Sequence, residues 1–438
     1  IIELHNPDNV GKYNSNFYKR LAYDEIFSTL LVHSEIRKKV KKIKKQKKIF
    51  NSKNQNKILS KFSFELTNDQ KKALNDINLD LMSNQKMFRL LQGDVGSGKT
   101  IVALSAASNV IDSGYQVAVM APTEILSRQH YNLAKEIFDK EVKIEILTSK
   151  LDSKYKKIIM NKLVNKEIDI IFGTHAIFQK KISFKKLGLI IIDEQHKFGV
   201  NQRKKLSDKG GENCDVLLMS ATPIPRTLTM TIYGDMDLSI IREKPKSRKE
   251  IKTYSKLESK IDDILKFITK EINDGNQVFW VCPLIDESKK IDHSSAIKKY
   301  DFLCKKYPNQ VALLHGKTEI HDKEIILKRF LEKKYKILVS TTIIEVGIDF
   351  PNANVIVIEN ANKFGLSQLH QLRGRVGRGK RQSSCILMFK STLSENAKKR
   401  LSVLKKSNDG FEISEEDMKL RGFGDILGFK QSGIKNFK

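Results

Sequence analysis

The sequence predicts an α/β protein: two parallel-sheet units in tandem, preceded by a helical N-terminal segment and followed by a short helical C-terminal tail. Three observations predict it. From residue 61 onward, short β-branched runs alternate with amphipathic stretches. The runs are apolar at nearly every position, as strands covered on both faces must be. The whole series then restarts after a charged stretch containing Pro245.

Residues 1–60 carry 14 basic and 5 acidic side chains, and "RKKVKKIKKQKK" at 37–48 places nine cations in twelve positions. With Val40, Ile43 and Ile49 thinly spaced, this reads as an exposed helix with a solvated basic face; a helix tracking phosphates is the sharper alternative. In the first unit, 61–241, strands are expected at "MFRLLQ" (87–92), "QVAVMA" (116–121), "DIIFG" (169–173), "LGLIIID" (187–193) and "DVLLMS" (215–220). Between them lie helical stretches such as "TIVALSAASNVIDSG", which ends on Gly114. The charged run "REKPKSRKE" gives a linker around 242–250. The second unit, 251–395, has strands at "QVFWVCPLI" (277–285), "QVALLHG" (310–316), "YKILVST" (335–341), "NVIVIEN" (354–360) and "SCILMF" (384–389). Two such units in tandem place a cleft between them. From 396 to 438 the strand pattern stops and a polar, glycine-punctuated tail follows.

Composition narrows the function classes. At 438 residues, 40% of them apolar, the chain is long enough for two or three ordinary cores. Its longest apolar runs are of strand length, so no membrane span is expected and a soluble, cytoplasmic protein is. Cys214, Cys282, Cys304 and Cys385 are scattered without a CxxC pair, which argues against a zinc ribbon or an iron–sulfur cluster and for a reducing compartment. The chain opens on Ile1 and Ile2 rather than on methionine or a signal-like pattern, which reads as a fragment whose start lies upstream. Lys and Arg outnumber Asp and Glu by 80 to 51, a net charge of +29. That excess suits a polyanionic partner, although with only 15 arginines it equally fits lysine drift in an AT-rich genome. The arginines are more specific: Arg373, Arg375, Arg378 and Arg381 fall within nine residues.

The chemistry is carried by three elements. "GDVGSGKT", Gly93 to Thr100, fits GxxxxGK[ST] directly after a strand and before a helix. Gly93, Asp94, Val95, Gly96, Ser97 and Gly98 form the turn. Its backbone N–H groups and the helix start favour phosphate oxygens. Lys99 reaches the β- and γ-phosphates, and Thr100 offers a hydroxyl to Mg²⁺. The second element, "LIIIDEQH" at 189–196, is an apolar strand ending in two carboxylates: Asp193 for the Mg²⁺ shell, Glu194 to accept a proton from water. Third is "QLRGRVGR" at 371–378, where Arg375 and Arg378 are candidate arginine fingers acting across the cleft, with Gln371 beside them. A fortuitous glycine turn, an acidic strand end and a surface arginine cluster are the plain alternatives, each weakened by the presence of the other two. The expected ligands are ATP and Mg²⁺.

Together with "SAT" (220–222), these elements resemble the superfamily 2 helicases and translocases over about residues 62–390. The resemblance implies that both units are RecA-like domains sharing one ATP site. "FELTNDQ" (64–70) then puts Gln70 near the adenine. "APTEILSRQH" (121–130) and "GTHAIF" (173–178) offer Pro122, Thr123, Arg128, Gly173, Thr174 and His175 to the nucleic-acid backbone. "HGK" (315–317) and "STTIIEVGIDFP" (340–351) offer Thr341 to the strand, and Gly347 and Asp349 to the nucleotide. His196, Ser220, Ala221 and Thr222 are carried over as coupling residues.

A narrower resemblance rests on "DEQHKFGVNQR" (193–203), "MSATPIPRTLTMTIYGDMDLSII" (219–241), "VCPLIDES" (281–288) and "SEEDMKLRGFGDILGFKQSG" (414–433). These are similar to the RecG family of bacterial branched-DNA translocases. The transcription-repair coupling factors share "ATPIPRTL" and a similar tail, and a non-catalytic ATP-switched binder is the other alternative. The RecG resemblance implies ATP-driven movement on branched or duplex DNA by a monomer, contact with a single-strand-binding protein, and a tail whose Arg421 and Gln431 couple the cleft to DNA. It also implies an N-terminal wedge domain, for which residues 1–60 leave room only for a connecting region.

Overall fold

The computed structural model describes residues 16–62, 64–148, 151–179, 181–194, 211–223, 234–245, 248–283, 289–316, 318–341, 350–379, 381–390 and 392–421. Among them are two all-parallel sheets. The first has seven strands in the order β3-β4-β2-β5-β6-β1-β7, and the second has six in the order β10-β11-β9-β12-β13-β8.

In the first sheet the strands are β1 (Phe88–Gly93), β2 (Gln116–Met120), β3 (Ile144–Leu147), β4 (Ile170–Gly173), β5 (Leu187–Ile192), β6 (Asp215–Ser220) and β7 (Asp237–Ile241). Side chains alternate between its faces, so both faces need cover. Leu91, Val119, Phe172, Ile191 and Met219 enter one core, with helices α3 (Asn68–Met82), α4 (Lys99–Asp112) and α5 (Glu124–Ile137) over it. Leu90, Met120, Ile171, Ile190 and Leu218 enter the opposite core, under α6 (Ser153–Asn165).

The second sheet repeats the plan with β8 (Lys252–Leu257), β9 (Gln277–Val281), β10 (Val311–Leu314), β11 (Ile337–Ser340), β12 (Ala353–Ile358) and β13 (Ser384–Phe389). Its helices are α7 (Ile261–Asn273), α8 (Lys289–Lys306), α9 (Ile320–Leu331) and α10 (Leu366–Arg373). One face is anchored by Phe279, Phe330 and Phe350, whose ring centroids lie 5.3–5.5 Å apart in tilted and edge-on pairs. The other buries Trp280, Val339, Val357 and Met388. After β13 come α11 (Glu395–Lys406), capped by Ser394 through the Ala397 amide, and α12 (Gly410–Arg421).

Three strands escape the sequence pattern: β3, β7 and β8. All three are sheet edges. An edge strand is covered less completely, and β8 alternates exposed with half-buried side chains, so no continuous apolar run marks it. The expected strand at 277–285 is longer than β9, which ends at Val281.

The basic N-terminal stretch differs from expectation in a way that charge patterning could not show. Helix α1 (Asn16–Lys42) stops inside it, and the chain then runs extended along the back of the first sheet. Lys45 N and Lys48 N donate to the carbonyls of Asn84 and Leu81. Lys45 Nζ and Lys48 Nζ, both fully buried, each lie 2.6 Å from Asp215 Oδ2, whose Oδ1 accepts from Met87 N at 2.7 Å. Two of the nine cations are thus structural. The segment continues into α2 (Lys53–Ser60), tied to α3 and α4 through the side-chain amides of Gln55, Asn78 and Asn109.

Candidate active site

The glycine turn sits where β1, flanked by β6 and β7, runs into α4. Gly96 and Gly98 take left-handed φ values of +75° and +83°, and Gly98 is the N-cap of α4. A Cβ at Gly93 would strike the Ser97 hydroxyl, and one at Gly98 would strike Gln70 Nε2. The Lys99 ammonium folds onto the turn, donating to the carbonyls of Gly93 (2.8 Å) and Asp94 (2.9 Å). Burial lowers the Lys99 pKa, opposed by the carboxylates of Glu194, Asp193 and Asp94. Gln70 is fully buried with its amide spent on the protein. Its Nε2 donates to Ser97 O (2.8 Å) and its Oε1 accepts from Thr67 N (2.9 Å), closing a capping box on α3. Gln70 therefore braces the phosphate turn in this structure.

Opposite the turn, β5 delivers Asp193 and Glu194. Asp193 Oδ2 lies 2.9 Å from His130 Nε2 of α5, and Asp193 Oδ1 accepts from Glu194 N at 3.0 Å. Burial alone would raise the Asp193 pKa, but His130 and Lys99 outweigh it and hold the carboxyl below its usual range. Glu194 goes the other way: burial, reinforced by the neighbouring Asp193 charge, raises it. Its backbone is left-handed (φ +54°), and its carboxylate accepts from Ala221 N–H.

The second lobe completes the cavity. Gln371 of α10 donates from Nε2 to Thr222 Oγ1 at 2.9 Å, bridging the lobes at the "SAT" segment. Arg375 and Arg378 line the same cavity, of about 980 Å³, as Lys99, Thr100, Asp193, Glu194 and Thr222. Burial lowers their guanidinium pKa values to about 10 and about 9, so both remain charged at neutral pH. Ser220 Oγ accepts from Thr222 N at 3.3 Å, stiffening the segment that Gln371 grips.

Several residues at this junction carried no recognisable signal. Asp94 accepts from Val95 N and pairs with His370 Nε2 of α10 and with Lys244 Nζ of the linker, each at 2.7 Å. Burial holds His370 below its usual pKa, so at neutral pH its ring is a neutral donor and Lys244 supplies the countercharge. His370 Nδ1 in turn meets Arg373 Nη2 at 3.0 Å, and Arg373 Nη1 donates to the carbonyls of Leu404 (2.6 Å) and Ser407 (2.9 Å). Lys244 also donates to Asn408 O at 2.8 Å. At Gly410, the first residue of α12, a Cβ would lie 2.7 Å from His370 Nε2 and 2.9 Å from Asp94 Cγ. A continuous polar path therefore links the phosphate turn to the tail helices. His130 and His370 stand within or beside the quoted motifs, but only a tertiary structure shows what they face.

Of the residues expected on the nucleic-acid backbone, Pro122, Thr123, Gly173 and Thr174 lie together, because β2 pairs with β4 and Ala121 N–H donates to Gly173 O at 2.9 Å. Thr123 caps α5 through Leu126 N, and Pro122 is half-buried beside it. Gly173 ends β4 at a point where a Cβ would strike Leu147 O; Thr174 is half-buried after it and His175 is exposed. Arg128 is exposed on α5, where it lines the interlobe cavity and pairs with Glu124 at 2.9 Å. Thr341 is buried at the end of β11, with its N–H on Leu314 O. His196, Gly347, Asp349 and Gln431 lie outside the described residues, and Arg421 is described only as the last residue of α12.

Comparison with known proteins agrees with this geometry. The DEAD/DEAH box helicase model matches residues 67–231, the helicase conserved C-terminal domain matches 259–380, and the C-terminal part of domain 3 of ATP-dependent DNA helicase RecG matches 407–437. RecG from Bacillus subtilis is 49% identical over 384 residues, 87% of this chain and 56% of its own length. RecG from Aquifex aeolicus is 46% identical over 449 residues, covering all of this chain and 57% of its own length. A structure of RecG bound to a three-way DNA junction superposes with a TM-score of 0.83 at 41% identity, covering 96% of this chain and 55% of that one. The chain thus spans little more than half the length of the relatives it matches. In sequence, in fold and in its C-terminal segment, this chain belongs to the RecG family of helicases.

Proposed function

We propose that this chain is the motor of an ATP-driven branched-DNA translocase: it hydrolyses ATP between its lobes and uses their movement to advance along duplex DNA, acting as a monomer. One observation carries the reading. Arg375 and Arg378 of one lobe line a single cavity with Lys99, Asp193 and Glu194 of the other. In this reading residues 61–241 and 251–395 are the working lobes, 242–250 joins them, and 396–438 relays their movement.

The cavity suits a triphosphate. Gly96 and Gly98 open the turn, and Ser97 Oγ is buried with no hydrogen-bond partner among the described residues. The N–H groups at the start of α4 would face a bound anion with the helix dipole behind them. Lys99 would exchange the two carbonyls it now holds for phosphate oxygens. A Mg²⁺ bound together with a triphosphate is carried largely by phosphate and water. Thr100 and Asp193 would hold it, with His130 fixing the Asp193 carboxylate. Bound there, Mg²⁺ supplies neutralising charge at the phosphates.

Glu194 is the base. Its raised pKa makes it a better proton acceptor than an ordinary carboxylate, and it lines the cavity with Lys99 and Asp193. Arg375 and Arg378 then meet the charge that spreads over the transferred phosphoryl group. Gln371 on Thr222, and the path from Asp94 through His370 and Arg373 to the tail, carry the change in closure to the part of the chain matching RecG domain 3. The RecG relatives, one solved on a three-way DNA junction, support branched DNA as the track.

The test is ATP turnover by this chain at low salt, alone, with linear duplex and with forked DNA. Stimulation by duplex or forked DNA is expected. Turnover indifferent to all three would refute the translocase reading.

A further inference from the structure

Arg248 lies in the segment joining the two lobes, between β7 and β8, and its side chain reaches into the phosphate turn. Arg248 N–H donates to Pro245 O at 2.9 Å. Its Nη1 donates to Val95 O at 2.5 Å, and a Cβ added to Gly96 would land on that same nitrogen. The guanidinium therefore fills the hollow that the absent side chain of Gly96 leaves. It also lines the interlobe cavity with Lys99, Arg375 and Arg378.

We infer that Arg248 is a third phosphate-binding guanidinium of this site, contributed by the joint rather than by either lobe, and that it grips the terminal phosphate of a nucleoside triphosphate. The inference rests on the ATP reading of the cavity and deepens it. Lys99, Arg128, Arg248, Lys328, Arg375 and Arg378 place six cations around a space lined by three carboxylates, Glu136, Asp193 and Glu194. A Mg²⁺–triphosphate complex, with a net charge of about −2, offsets most of that excess. Arg248 and Arg378 also repel each other across the hollow, and after burial this repulsion is the largest influence lowering the Arg378 pKa. An anion between two forked donors relieves it, and a terminal phosphate offers three oxygens to both.

The position also carries information. Lys244, four residues earlier, holds both Asp94 and the Asn408 carbonyl, and Arg242 lies over the Phe411 ring at 5.2 Å to its centroid. One short segment therefore touches the phosphate turn and the first residues of the tail helices. When Arg248 exchanges Val95 O for a phosphate oxygen, the joint is pulled by the one group that distinguishes ATP from ADP.

The experiment is equilibrium binding of fluorescent (mant-labelled) Mg–AMP-PNP and Mg–ADP to the 438-residue chain, as wild type, Arg248→Ala and Arg248→Lys. The expected result is a roughly tenfold or larger loss of AMP-PNP affinity in Arg248→Ala, with ADP affinity within twofold of wild type. ADP binding then also reports that the variant is folded, and Arg248→Lys recovers part of the loss. Unchanged or tighter AMP-PNP binding in Arg248→Ala, or an equal loss for both nucleotides, overturns the proposal. Failure of the wild-type chain to bind either nucleotide overturns the ATP reading itself, which is a separate result.

Discussion

Replacing Asp94 by Asn tests whether the lobes are held together through the phosphate turn. Asp94 is nearly fully buried, and its carboxylate accepts from Val95 N–H and His370 Nε2 and forms an ion pair with Lys244 Nζ. The amide keeps the shape and one acceptor, but it turns an N–H₂ group toward the Lys244 ammonium. Losing a charged hydrogen bond costs about 1.5–3 kcal/mol, and removing one partner of a fully buried pair about 2–5. Lys244 is 31% exposed, so the lower part of these ranges applies. About 2 kcal/mol corresponds to a roughly 30-fold weaker docking of the lobes. Trp280 provides the assay: it is the only tryptophan and is buried in the second sheet. Its fluorescence reports the second lobe during urea unfolding, whereas far-ultraviolet circular dichroism reports both. In the wild type the two transitions should coincide; in Asp94→Asn they should separate and begin at lower urea. An unchanged midpoint with coincident transitions would show that the Asp94 contacts do not couple the lobes.

Glu194→Gln should bind ATP as well as the wild type yet turn it over about 10²–10⁴-fold more slowly; near-normal turnover would leave Glu194 without its role as base. Arg378→Ala should keep ADP affinity and lose roughly 10³-fold in DNA-stimulated turnover, read by single-turnover hydrolysis, and a purely KM effect would contradict a finger role. Asp215→Asn should destabilise the first lobe by about 3–5 kcal/mol in urea, because two buried ammonium groups lose their countercharge; a change below about 1 kcal/mol would refute that account. Folding stability should also carry a contribution from His370, whose folded pKa lies below 6.5. That contribution is complete above pH 6.5 and fades as pH falls toward the folded value, because the unfolded ring takes up its proton first. His370→Asn should flatten the stability profile over that window, and an unaltered profile would count against it.

What the sequence discloses here follows from how local each signal is. Central strands such as β5 and β6 are buried on both faces and read as uninterrupted apolar runs, while β3, β7 and β8, lying on edges, do not. The phosphate turn is equally local: glycine spacing, one lysine and one threonine fix it between a strand and a helix. The acidic pair and the arginines are read from short motifs, and their meeting in one cavity is what two-lobe symmetry predicts. Contacts joining distant segments leave no such trace. His130 on Asp193, His370 on Asp94, and Arg248 on the turn are each one polar residue among many until the chain is folded. The lysines of residues 37–48 show the same limit, since charge density alone marks Lys45 and Lys48 as surface residues although both are fully buried.

Those two lysines change how the +29 charge should be counted. Lys45 and Lys48 are committed to Asp215, Arg373 to backbone carbonyls, and Lys99, Arg375 and Arg378 to the interlobe cavity. None of these can displace a counterion from DNA at the outer surface. The slope of binding against salt concentration therefore counts only exposed lysines and arginines that meet phosphates. Removing a buried cation should alter stability or turnover and leave that slope where it was.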